Sequence, residues 1–507
     1  MNENSRSDMP ERNLQSLSRR STIDLEKNQG TIPATEADTK RAYLVKWDPD
    51  DPENPKNWNP WYRAWLCFQM ALLAFVGSFG SSIISPSQPF LATHLDVSLE
   101  TSVLVVSLFV LGYAFGPMVF APLGEAFGRK ISMLPALFVL GIFSIGTAVS
   151  HNAASLFITR FFGGLFASAP VSNVSAAVGD LYDAKERGIP MALIALCVVG
   201  GPCVAPIVGA AITINPHMGW RWTEYIQAIF TFSVVALCSF ALPETYHPVL
   251  LQRKAQRLRT ETGNPSYWHP HETEKVDRNT IFTKYIFRPG RMLFTESMVT
   301  CIAAYASFVY GLLFFQLESF PIVFGLKRGY STIVSTLPFL GLFAGVVFAL
   351  IINIANQKFY AKALARNNGR AVPEARLPPM LVGGVFFSAG LFWFGWTADP
   401  KYSWALPSVA AGFIGAGFNI TFQQCLNYLA DTYGPLAASA MAANTFLRSL
   451  LAFGLPLAAR PLFLNLGVAP GSSLLGGISC VALPVPLLLM KYGRQLREKS
   501  KYTPKPD

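Results

Sequence analysis

The chain has 507 residues, of which 51% are hydrophobic and only 14% charged, against about 25% charged in an ordinary soluble protein. With a mean hydropathy of +0.34, this composition excludes a secreted disulfide scaffold and argues against a soluble enzyme. The net charge of +11 would hint at nucleic acid in a soluble chain. In a membrane chain it reads as basic loops that set orientation, so the expected surroundings are a lipid bilayer, with no nucleic-acid partner.

In chain order, residues 1–60 are polar and rich in Ser, Asn, Asp and Pro. They read as a disordered N-terminal region with no apolar stretch of signal-peptide type. Apolar runs of about 20 residues follow, the length that crosses roughly 30 Å of hydrocarbon. They predict spans near 63–85, 103–121, 131–150, 155–177, 189–212 and 223–242. A polar linker covers 243–293. Six more spans are predicted near 294–316, 332–355, 377–397, 404–428, 436–458 and 471–490, and the tail covers 491–507. The domain reading is therefore a six-helix bundle over 61–242, a linker over 243–293 and a second bundle over 294–490.

Loop charge sets the orientation. The linker carries Arg253, Lys254, Arg257 and Arg259, the 356–376 loop carries Lys358, Lys362, Arg366, Arg370 and Arg376, and the tail is rich in Lys and Arg. Loops 86–102 and 151–154 carry neither. The positive-inside rule places both termini and the linker in the cytoplasm. Twelve spans divided six and six are a transporter layout, two halves rocking about a central site. A polytopic enzyme would ordinarily need an intramembrane His or acid cluster. Here His94, His151, His217, His247, His269 and His271 fall in loops or at span ends, so no metal or cofactor is expected. No P-loop appears. The seven cysteines form no CxxC pair and read as small hydrophobes.

Three motifs carry mechanism. The first is Ala121-Pro122-Leu123-Gly124-Glu125-Ala126-Phe127-Gly128-Arg129-Lys130, between spans 2 and 3. Glu125, Arg129 and Lys130 can clamp neighbouring helix ends in one conformational state, and Gly128 permits the tight turn. The alternative is a charged turn that anchors two helices. The second is Arg160 in span 4, followed by Gly163-Gly164. A guanidinium inside an apolar helix faces a cavity or a partner, and no acidic partner is evident at comparable depth in the first half. The third is Gly200-Gly201-Pro202-Cys203-Val204-Ala205-Pro206-Ile207-Val208-Gly209 in span 5. Its two prolines bend the helix, and its small residues allow close helix approach.

In this order the three motifs resemble those of the major facilitator superfamily. The match tightens around Trp47-Asp48-Pro49-Asp50-Asp51-Pro52-Glu53-Asn54-Pro55-Lys56-Asn57-Trp58, Asp180-Leu181-Tyr182 with Glu186-Arg187-Gly188, Pro243-Glu244-Thr245-Tyr246, and Ala442-Ala443-Asn444 with Arg448-Ser449. Together these resemble the fungal twelve-span drug:proton antiporter family. The resemblance implies an all-α major facilitator fold and gating roles for Glu125, Gly128, Arg129, Lys130, Asp180 and Arg187. It also implies an antiporter motif at Gly200, Gly201, Pro202, Pro206 and Gly209, protons as coupling ion, and a plasma-membrane exporter acting as a monomer. Ala205 and Ala210 depart from that motif, which usually has Gly at both positions.

The resemblance further implies that spans 1, 4, 7 and 10 line the pathway, and their polar residues fit. Asn419, Gln423 and Asn427 recur every four residues, on one helical face. Gln69 and Ser82 in span 1, Tyr310 in span 7, Arg160, and Arg448 in span 11 complete the candidate substrate pathway. Interhelical hydrogen bonding is the alternative for each. The expected cargo is a small organic molecule, such as a secondary metabolite or xenobiotic. The two intramembrane arginines make a di- or tricarboxylate the second candidate. A non-transporting sensor is the competing class, against which stands the short tail.

Overall fold

The computed structural model describes residues 43–183, 186, 188–273, 282–367 and 372–503. Among them, twelve helices are long and apolar enough to cross a membrane. The first six are α1 (Pro60–Ser82), α2 (Leu104–Ala126), α3 (Arg129–Ala148), α4 (Ala153–Leu181), α5 (Gly188–Thr213) and α6 (Arg221–Ala241). The second six are α7 (Ser297–Phe320), α8 (Pro338–Arg366), α9 (Leu377–Thr397), α10 (Ala405–Tyr433), α11 (Ala437–Asn465) and α12 (Val468–Ala482), the last continued by Pro484–Lys499. Each coincides with a predicted span. The edges differ because polar ends continue the helix. After a short 3₁₀ turn, α1 is extended by the helix Gln88–Leu95, and α7 runs on into Pro321–Lys327.

The helices are hydrophobic nearly all round because one side meets other helices and the other meets lipid. Prolines sit inside α2, α3, α4, α5 and α11. The removed backbone bonds bend these helices, which neighbouring groups make tolerable in a bilayer. The two groups of six meet mainly where α2 packs on α11 and α5 on α8. Phe115 of α2 meets Phe446 of α11 edge to face at 6.1 Å.

The N-terminal region differs from expectation over residues 43–58, while residues 1–42 lie outside the described residues. The Asp/Pro/Asn run folds by satisfying its own backbone. Asn57 Nδ2 donates to the carbonyls of Pro49 and Asp51, both at 3.0 Å, and Trp58 Nε1 donates to Pro52 at 3.1 Å. Lys56 then pairs with Asp183 just beyond α4 at 2.7 Å. These side chains do the work of turn formation, which a reading of polarity alone assigns to disorder. Residues 43–48 and 250–273 belong to a separate small unit. It is held by a Leu44–Trp268 bridge, an edge-on Tyr43–Tyr267 pair and a bidentate Arg259–Glu272 ion pair.

Candidate functional site

The Arg129 turn is built from three helix ends. Gly128 lies at φ +103°, a left-handed conformation that glycine adopts without steric cost. A Cβ there would come within 2.3 Å of the Glu244 carboxylate. Glu244 follows α6 and fills that space. Its oxygens accept from the backbone N–H of Arg129 and Lys130, at 2.9 and 3.1 Å, and from those of Thr245 and Tyr246, both at 2.9 Å. A carboxylate on the unsatisfied N–H groups of the α3 start is favourable for charge and for hydrogen bonding. The Arg129 side chain reaches Asp180 at the end of α4, at 3.2 Å, and lies over the Tyr246 ring at 4.5 Å. Lys130 Nζ donates to the Ser239 carbonyl at 2.8 Å. His247 Nε2 lies 2.8 Å from the Asp180 carbonyl. Burial holds its imidazole below the usual range, only partly offset by that contact.

The cluster thus joins α3, α4 and α6. Glu125 lies half-buried on the last turn of α2, and Glu244 and Asp180 are two carboxylates that grip the turn. Arg187 lies outside the described residues. The second six helices carry a counterpart: Arg376, just before α9, pairs with Asp431 near the end of α10 at 3.0 Å and covers the Tyr360 ring, and Arg497 pairs with Glu374.

Arg160 corrects the sequence reading. It has an acidic partner, the wholly buried Glu224 of α6, at 3.1 Å. Its other donors go to the carbonyls of Val105 at 2.8 Å, Gly80 at 3.0 Å and Ser81 at 3.1 Å, and the guanidinium lies 4.3 Å from the Phe109 ring centre. The arginine is 1% exposed. Helical side chains point back toward the helix N-terminus, so the long guanidinium reaches the shallower level of Glu224. Counting residues from span edges misses that reach. Arg160 is therefore a fastener between α4 and α1, α2 and α6, with four of its five N–H donors taken up by these helices.

Arg448 of α11 is the opposite case. It is 6% exposed, its Nε has no hydrogen-bond partner, and no carboxylate among the described residues pairs with it. Its guanidinium lies 4.8 Å from the Tyr310 ring and 5.3 Å from the Phe422 ring. Phe422 stacks on both Tyr310 and Phe418, and these two are tilted toward each other. The result is an aromatic cage from α7 and α10 around a buried cation from α11. Both side-chain polar atoms of Asn444, one turn earlier, also lack partners.

The row on α10 is split. Asn419 Oδ1 accepts from Asn353 of α8 at 3.2 Å, and Gln424 Nε2 donates to Asn353 Oδ1 at 2.9 Å, all three buried. Gln423 and Asn427 are half-buried. Asn419 therefore serves an α8–α10 contact. Asn353, the amide inside the predicted span 332–355, was the available signal. Gln69 and Ser82 are wholly buried, with no partner for their side-chain polar atoms.

On α5, a Cβ on Gly201 would lie 2.2 Å from Ser78 Oγ and 2.7 Å from the Phe79 nitrogen, and one on Gly209 would lie 1.9 Å from the Ile83 carbonyl oxygen. These glycines put α5 in backbone contact with α1. Gly200, on another side, faces the Phe343 ring of α8. Pro202 and Pro206 lie within the same stretch. The motif helix is thus wedged between its own group of six and the other, and the departures at Ala205 and Ala210 are wholly buried.

At the opposite end of the bundle from the Arg129 turn, two contacts cross between the groups. Gln88 Nε2 donates to Glu318 Oε1 at 2.7 Å, with both residues buried, and Arg460 lies 3.7 Å from Glu100. Glu224, Glu296 and Glu318, which fall close to the predicted span edges at 223, 294 and 316, are all buried. For Glu318 the reason is the continuation of α7 beyond its predicted edge.

The model for the family described as Major Facilitator Superfamily matches residues 70–456. Among curated proteins, the chain is 37% identical to the major facilitator superfamily multidrug transporter FLU1 of Candida albicans, over 92% of this chain and 77% of that one. It is 38% identical to the citrinin biosynthesis cluster MFS transporter mrr1 of Monascus ruber, covering 96% and 97%, and 38% identical to the efflux pump bik6 of Gibberella fujikuroi, covering 94% and 98%. Among solved structures, the proton:xylose symporter XylE aligns with a TM-score of 0.63 at 16% identity, over 86% of this chain and 96% of that one, a likeness of fold alone.

Proposed function

Because the chain belongs to the Major Facilitator Superfamily, we propose that it is a proton-coupled efflux transporter, exporting a small organic molecule across the plasma membrane by alternating access. In this reading both termini and the Arg129 turn are cytoplasmic, and the working unit is the monomer. The relatives named as an efflux pump and a multidrug transporter support the direction and the class of cargo. The observation that carries the coupling is the position of α5. A bent helix in backbone contact with α1, and in side-chain contact with α8, must move whenever the two groups of six rock. The Arg129–Asp180 and Glu244 contacts fix α3, α4 and α6 as one body, so that the first group of six rocks as a unit without these residues touching cargo.

A specific observation favours an anionic cargo as a second reading. A buried guanidinium without a carboxylate is costly, and Arg448 is such a group inside an aromatic cage. An organic acid, above all one with a planar conjugated ring, would supply the anion and stack on Phe422. This moves the argument for an acid from Arg160 to Arg448. The test is efflux from cells with and without the protein, using fluorescein as the anionic aromatic probe and Nile red as the neutral one. Faster efflux that a protonophore abolishes is expected. Unchanged retention of both probes would contradict the reading. Fluorescein loss alone in Arg448→Gln would select the acid.

A further inference from the structure

We propose that Glu318 is a proton-binding site that controls closure of the outer end of the pathway, with Gln88 as the lid contact that closes over it. The inference rests on the antiport reading above and uses its orientation. Glu318 lies near the end of α7, 5% exposed, and Gln88 is equally buried. Gln88 begins the short helix Gln88–Leu95 that follows the turn after α1. Their 2.7 Å hydrogen bond therefore spans the two groups of six.

The chemistry of the pair sets the direction of the effect. Gln88 is a neutral amide. The cation that faces Glu318 is Arg460 of α11, which also lies 3.7 Å from Glu100 at the start of α2. On its own helix the following charges are Lys327 and Arg328, and Arg328 is engaged by the carbonyls of Thr397, Asp399 and Tyr402. Closing the lid over ionised Glu318 buries a carboxylate against an amide, which is unfavourable. Protonated Glu318 removes that cost, and an amide has both a donor and an acceptor for a neutral acid. The closed form thus binds the proton more tightly than the open form. By linkage, closure gains as pH falls, by at most about tenfold per pH unit for one group.

This is the rule an antiporter needs. After cargo leaves, external water protonates Glu318, the outer end closes, and the proton-loaded carrier returns. The proton leaves to water in the pathway once the cytoplasmic side opens. Glu224 cannot serve in this way, because its partner Arg160 lies in the same group of six and does not separate from it.

The test is hydrogen–deuterium exchange of the full-length protein in nanodiscs at pH 5.5 and 7.5, corrected for intrinsic exchange, read on peptides covering 84–102 and 316–330. The wild type should be more protected at pH 5.5. Glu318→Gln, which mimics the neutral acid, should be protected at both. Gln88→Leu, which leaves Glu318 titratable without its donor, should open the outer end at pH 7.5 and move the transition to lower pH. An identical pH response in wild type and Glu318→Gln, no response in the wild type, or an unaltered response in Gln88→Leu would each overturn the proposal. Proton-driven efflux of fluorescein and of Nile red by the wild type is measured alongside. Absence of proton-driven efflux of both fluorescein and Nile red with a pH-dependent outer end sinks the antiport reading and leaves the gate. Presence of either with a pH-independent outer end sinks the gate alone.

Discussion

Replacing Arg160 by lysine separates a fastener from a cargo-binding group. Arg160 makes four hydrogen bonds to three other helices: two carbonyls on α1, one on α2 and the Glu224 carboxylate on α6. Lysine keeps the charge but offers three donors from a single nitrogen, without the planar fork. If the ammonium holds Glu224 and one carbonyl, two charge-assisted bonds are lost. At about 1.5–3 kcal/mol each, that is roughly 3–6 kcal/mol before relaxation, similar to the ~3–5 kcal/mol for breaking a buried ion pair. Arg160→Lys should therefore lower the melting temperature in detergent and the amount at the cell surface. Per surface molecule, it should reduce fluorescein and Nile red efflux to the same extent. Glu224→Gln should act alike. Arg160→Met with Glu224→Leu should recover part of the stability, because an apolar pair replaces a buried ionic one at little cost. A stable, fully expressed Arg160→Lys that loses only fluorescein efflux would refute this reasoning and return Arg160 to the cargo site.

Gly209→Ala should cut transport tenfold or more, since its Cβ would sit 1.9 Å from a carbonyl oxygen, whereas Gly454→Ala, with nothing within 4 Å, should leave efflux per surface molecule unchanged. Overpacking of this kind costs about 1–3 kcal/mol. Glu244→Ala should slow turnover more than it weakens half-saturation in initial-rate assays, because it uncaps α3 without touching cargo, and an unchanged maximal rate would count against the clamp. His247 is held neutral, its affinity for protons lowered on folding, so its contribution is full above the ordinary imidazole range and is lost as pH falls through its lowered value. Cytoplasmic acidification should then place a charge at a buried position, a cost that donation to the Asp180 carbonyl offsets only in part, and His247→Gln should flatten that part of the pH–rate profile measured in inside-out vesicles.

The twelve spans were legible because hydropathy and length are local properties, and every apolar run became a helix. The double-proline stretch and Gly128 were legible because proline and glycine act on their own backbone. Glu224 was not, since its role depends on the reach of Arg160 from another helix. Glu244 stood in a quoted motif, yet only the fold brings it onto the N–H groups of Arg129 and Lys130. The Asn419–Gln423–Asn427 row illustrates the limit of periodicity. Spacing puts three amides on one face, but Asn353 of α8 determines that Asn419 and the neighbouring Gln424 are engaged. Glu318 and Gln88 are 230 residues apart in sequence, and no local pattern pairs them.

The most direct measurement uses purified protein in liposomes loaded with fluorescein, where the proton gradient can be imposed without other transporters. In molecules whose cytoplasmic side faces the lumen, acidifying the external buffer should accelerate fluorescein efflux, and a protonophore should abolish the acceleration. Efflux at the same rate with and without the gradient would contradict the claim that proton entry drives export.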